Sequence, residues 1–168
     1  MTTDNDGSSR GQETVELLNL LLGAYCLGAA QHQTHVALLR SWGVVGLASA
    51  MQSRIDDEPG TIAALTNRIL DLGGQPAFAI GTPNIGTDLR SVLENDIAIQ
   101  RGAPESLNAA AETAASAHDA TTRHLIEQII DDEEQHLSFL ELELDLLGRL
   151  GEPLYLSTRM NTSDGAPA

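Results

Sequence analysis

Six polar side chains stand where apolar ones belong, and their types are those that bind metal ions or move protons. Glu133 lies seven residues after Ile126 and seven before Leu140, and His136 follows it by three. Residues three apart share one face of a helix, so this carboxylate and imidazole point the same way. Glu58 interrupts a second row between Met51 and Leu65, and Gln100 a third between Leu93 and Leu107. Tyr25 and His32 interrupt a fourth, which opens at Leu18 and closes at Leu39. A carboxylate buried in an apolar row is costly unless it is paired, protonated or bound to metal. Two readings follow: a self-satisfied polar network, or a metal centre. The second draws on Glu-x-x-His, which on a bundle helix is the ligand spacing of carboxylate di-iron sites.

The elements that would carry these residues are helical. Apolar residues recur at helical spacing over four long segments: Glu13 to Arg40, a second from after Trp42-Gly43 to Leu72, Asp88 to His118, and Asp119 to Leu150. The stretch Gly73 to Gly86 is too rich in Gly and Pro to be helical throughout. Gly151-Glu152-Pro153 ends the fourth segment, and Leu154 to Arg159 predicts one more short helix. Strand signals are absent. Short links after the first and third helices, with a long one after the second, predict an all-α, ferritin-like four-helix bundle with one crossover and a short fifth helix. Each polar interruption falls near the middle of its helix, so a single bundle would gather all six at one level. Residues 1–11 and 161–168 are rich in polar residues and Gly, and are expected to be disordered tails around a single domain of residues 12–160.

Composition narrows the function classes. The chain has 168 residues, nine basic and 24 acidic, for a net charge of −15. That balance argues against nucleic acid and anionic membrane surfaces as partners, because both recruit basic proteins. No uninterrupted apolar run has the length of a membrane span, and Met1 to Glu13 does not read as a secretory signal. With one cysteine, Cys26, an internal disulfide is impossible. A cytoplasmic location is expected.

Longer stretches carry a resemblance. Leu21-Leu22-Gly23, His35, Ser41-Trp42-Gly43, Arg68-Ile69-Leu70, Asn84-Ile85-Gly86, His118-Asp119, Asp132 to His136 and Leu140 to Leu146 together resemble a bacterioferritin from about Thr14 to Leu156. The resemblance implies iron storage, two-fold dimers within a hollow 24-subunit cage, and a di-iron oxidation centre inside each subunit. It also implies six ligands, of which Glu58, Glu133 and His136 are retained. Tyr25 and Gln100 stand where the family has glutamates, and Thr61 where it has a histidine. Pro59 stands where the family has its haem-ligating methionine, so no haem is expected. Met51 lies eight residues from Pro59, about 12 Å along a helix, and cannot replace it.

Within a helix, Pro59-Gly60 is disruptive, so the second helix is expected to kink there or to break and restart at Pro59. Either geometry could turn Glu58 away from the core. His32 is a candidate replacement ligand, or a packed core histidine. The expected function is therefore a cage subunit for iron storage with weak or no ferrous oxidase activity and at most one tightly held iron, self-assembling or joined to a catalytically competent bacterioferritin subunit. The alternatives are a remodelled mononuclear metal enzyme on His32, Glu58, Glu133 and His136, and a metal-free scaffold.

Overall fold

The computed structural model describes residues 4–160 of the chain, with side chains described from Gly11 onward. Its elements are α1 (Asp4–Ser41), α2 (Val45–Ile55), α3 (Glu58–Asp71), α4 (Leu89–Ser116), α5 (Ala120–Leu150) and α6 (Glu152–Arg159). No strand occurs among the described residues. α2 and α3 together make the second column of the bundle, broken at Asp56-Asp57. Pro59 sits in the first turn of α3, where its missing N–H would have had no helical acceptor. The break resolves the conflict that Pro59-Gly60 posed for one long helix.

One expected boundary shifts. α1 reaches back to Asp4, so most of the stretch expected as an N-terminal tail is helical backbone continuous with the first bundle helix. Ser, Asp and Gly lower helix propensity only modestly, and extending an existing helix avoids the nucleation penalty. The tail expected at 161–168 lies outside the described residues.

Two apolar cores fill the bundle. One, around Leu18, Leu22, Leu65, Ile69, Leu107 and Ile126, joins the N-terminal half of α1 to α3 and the facing halves of α4 and α5. The other, around Leu39, Leu47, Met51, Leu93, Leu140 and Tyr155, joins the opposite ends and α6. Gly11–Ser41 is long and apolar enough to cross a membrane by length and composition, yet its Leu18, Leu22, Val36 and Leu39 are almost fully buried in these cores. Ends are secured by caps and ion pairs. Asp88 and Ser91 form a reciprocal capping box on α4. Asp119 caps α5 and takes both charge-assisted bonds from Arg68 NH2 at 2.8 Å, which ties α3 to α5. Glu143 receives Tyr155 and Arg159, which holds α6 against α5.

The crossover, residues 72–88, has no regular structure of its own and lies along α1. Asn19, Gly23, Leu27, Gln31 and His35 recur every four residues and form one row that carries it. Asn19 bonds Gln75 O and Ala77 N, Gln31 accepts from Asn84 N, and His35 Nε2 accepts from Gly86 N at 2.9 Å. Gly23 permits the close approach, since a Cβ there would lie 2.7 Å from the Ala79 carbonyl oxygen. The far ends of Gln31 and His35 both donate to Asp96 Oδ1, at 3.0 and 2.7 Å. Asp96 is fully buried, so these two donors replace its water. Replacing His35→Ala should strip the carboxylate of one partner and release the crossover at Gly86. Unfolding in urea should show a loss of about 3 kcal/mol, with a smaller loss for His35→Gln, which keeps a donor.

Candidate metal centre

Between the two apolar cores lies a polar layer, to which every column of the bundle contributes. α1 supplies Tyr25 and His32, α3 supplies Glu58 and Thr61 from its first turn, α4 supplies Gln100, and α5 supplies Glu133 and His136. The level at which the six interruptions meet is therefore the seam between the cores. Glu58 points inward: because α3 restarts at this residue, its side chain reaches His32, and Oε1 lies 2.6 Å from Nδ1.

Each of the three retained ligand-type side chains closes on a neighbour. Tyr25 donates its phenol hydrogen to Glu133. Glu58 is joined to His32. Gln100 Nε2 lies 3.2 Å from His136 Nδ1, and the amide also bonds Glu133. Thr61 stands beside the cluster, but its hydroxyl bonds the Asp57 carbonyl one turn back. Among the described residues, no three His, Cys, Asp or Glu side chains are arranged to hold a metal ion. A small void of about 20 Å³ remains beside Tyr25, Glu58, Thr61, Glu133 and His136. That is room for one water-sized guest.

Electrostatics follows from burial and these pairs. Burial and the Glu133 carboxylate push the Tyr25 phenol far above its ordinary range, so it stays neutral. Burial also raises Glu133, with the Tyr25 hydrogen bond and the His32 charge partly offsetting it. For His32, burial works downward, but the hydrogen bond to Glu58 and the carboxylates of Asp96, Glu58 and Glu133 outweigh it and raise the imidazole. His136 goes the other way: burial and the charges of His32 and Arg54 push it down to about 4, against a smaller upward pull from Asp96. The two rings sit edge to face with centroids 5.1 Å apart. His32 is thus the more readily protonated ring, and His136 stays a neutral imidazole, the protonation state a metal ligand requires.

Several residues central to the layer were not picked out as site residues from the sequence. Asp96 lies one turn before Gln100 on α4, and its Oδ1 is 3.9 Å from His32 Nε2. Its spacing of four from Gln100 on a buried face was the available signal. Arg54, near the end of α2, gives no such sign and is brought to His136 only by the fold. His32 Nε2, Glu58 Oε2, Asp96 Oδ2, Gln100 Oε1 and His136 Nε2 are buried without a hydrogen-bond partner.

The depressed His136 makes stability depend on pH. The unfolded imidazole takes up its proton below about pH 6.5, the folded one only near 4, so between these values the unfolded state binds more protons. Stability from this group is complete above pH 6.5 and is lost as the pH falls toward 4. Compared with His136→Leu, the wild-type chain should lose about 2 kcal/mol between pH 7 and pH 5, checked by urea unfolding of both proteins. The His136 imidazole NMR resonance should titrate near the lower value.

Comparisons with known proteins agree with this architecture. A ferritin-like domain family model matches residues 15–150. The bacterioferritin of Mycobacterium leprae is 34% identical over 144 residues, covering 85% of this chain and 91% of its own. That of Streptomyces coelicolor is 32% identical over 157 residues, covering 93% of this chain and 94% of its own. Among solved structures, the Mycobacterium tuberculosis bacterioferritin BfrA matches with a TM-score of 0.85 at 32% identity, over 89% of this chain and 94% of that one.

Proposed function

Because the chain belongs to the bacterioferritins of the ferritin-like family, we propose that it is an iron-storage cage subunit whose intrasubunit centre does not oxidise ferrous iron in pairs. The observation that carries this reading is the closure of the polar layer on itself: Glu133 on Tyr25, Glu58 on His32, and His136 on Gln100. Ferrous iron is the substrate here. Holding two dications in a buried site takes several carboxylates to neutralise them. The layer offers Glu58 and Glu133, while His32, whose imidazole these carboxylates and Asp96 make easier to protonate, lies between them. Tyr25, Thr61 and Gln100 contribute neutral groups. The 20 Å³ void supports one ion at most, reached if Glu133 leaves Tyr25 and the Gln100 amide turns to accept from His136 Nδ1, which frees Nε2.

Haem does not fit at the family's position. Pro59 is exposed at the start of α3 and carries no sulfur, and Met51 is fully buried in the core beneath α2. Storage and assembly have different support. Glu127, Asp131, Glu134, Glu141 and Asp145 form an exposed acidic row along α5; Arg123, Arg101 and Arg149 pair with three of them, and the remaining negative charge attracts cations. Leu20, Phe78, Ile80, Leu142 and Leu154 are large, apolar and exposed on the single subunit, as expected of surfaces buried by neighbouring copies or by a competent partner subunit. Light scattering at micromolar concentration should report a cage; a monomer or dimer would remove the assembly part of the reading.

Stopped-flow mixing with two ferrous ions per subunit should give oxidation near the uncatalysed background. Together, Tyr25→Glu, Thr61→His and Gln100→Glu should recover part of a fast phase. A rapid, saturable phase at two irons per subunit in the unaltered chain defeats the proposal.

A further inference from the structure

We propose that the cavity between α1 and α4 is a binding pocket for a small apolar molecule that carries one hydrogen-bond-donating head group, an amine or an alcohol. The cavity encloses about 270 Å³ and opens beside Gly102 and Ser106, which are exposed on α4. Its walls are apolar, with Leu21, Leu27, Ile99 and Leu107, and its floor is the polar layer. An apolar cavity of about 150 Å³ accepts benzene, so this one has space for a ring and a short arm.

The head group follows from what the floor leaves unsatisfied. Gln100 is 3% exposed and lines the cavity; its amide nitrogen is engaged by His136, and Oε1 is a buried acceptor without a donor. Glu58 Oε2 is a second acceptor in the same state. His32, the donor at the floor, has Nδ1 on Glu58 and Nε2 turned toward Asp96. A floor lined by Glu58, Glu133 and the Gln100 amide favours a guest that donates, whereas an anionic head would meet the two carboxylates.

The small residues of the wall are a separate observation. Gly28 and Gly102 both lie inside long helices, where glycine is less favourable than alanine. Neither is required by crowding. A Cβ at Gly102 would meet nothing within 4 Å, and at Gly28 it would make only ordinary contact, 3.7 Å from His32. Neither has a positive φ. What their missing side chains do is keep the cavity open. Pro104 acts in the same turn of α4, because without an N–H it leaves the Gln100 carbonyl without its helical donor. The proposal is independent of iron storage, since the guest needs no metal.

The test uses the assembled, metal-free protein titrated calorimetrically with 2-phenylethylamine, 2-phenylethanol, phenylacetate and ethylbenzene. The amine or the alcohol should bind saturably at one per subunit, with phenylacetate at least about tenfold weaker. Binding of the amine alone assigns the head to Glu58, and of the alcohol alone to the Gln100 amide. Gly102→Leu should weaken binding about tenfold or more, while circular dichroism and particle size stay unchanged. Gly28→Leu serves as the second blocking variant if the first fails to fold. Gln100→Leu should abolish the preference of the alcohol over ethylbenzene. No saturable binding of either donor, phenylacetate binding as tightly as the amine, or undiminished binding in a folded blocking variant would each overturn the proposal.

Discussion

Everything at the centre of this bundle answers to one constraint: charged side chains buried between two apolar cores must be neutralised there. Leucine and isoleucine close the layer above and below, and Asp96 within it is fully buried. The chain meets the requirement with its own side chains. Tyr25 donates a hydrogen bond to Glu133, His32 one to Glu58, and His35 and Gln31 donate to Asp96. Tyr25, Gln100 and His32 bring hydrogen bonds to the layer's carboxylates and to His136.

That balance reaches beyond the layer. The Asp96 carboxylate is satisfied through Gln31 and His35, whose other ends hold the crossover at Asn84 and Gly86. One buried charge thus links the bundle interior to the segment that sets its connectivity. The α2–α3 break works in the same sense. A continuous helix would have to accommodate Pro59 in its interior; restarting at Glu58 places the proline where it is harmless and lets the glutamate reach His32.

Protonation divides unevenly within the layer. His32 and His136 are in edge-to-face contact, and the carboxylates around them favour a proton on the first while burial and that proton disfavour one on the second. Proton affinity within the layer is thus concentrated on His32 rather than His136. The acidic row on α5 lies on the exterior of the helix, apart from the buried layer.

The helical class, the crossover, the short sixth helix and the meeting of Tyr25, His32, Glu58, Gln100, Glu133 and His136 at one level were legible in the sequence alone. The reason is that they follow from periodicity: apolar rows choose a face, and a polar residue on such a row is carried inward whatever its partner. The two outcomes for Pro59 could be named from local chemistry, but not decided, since a kinked helix and a broken one satisfy the same local rules. Only tertiary packing decided that Glu58 turns inward to His32, that the retained ligands close on Tyr25 and Gln100, and that Asp96 and Arg54 belong to the neighbourhood. Those are contacts between residues 26 to 108 positions apart. Their pairing depends on which helices stand side by side and on which groups burial has deprived of water, and a linear pattern encodes neither.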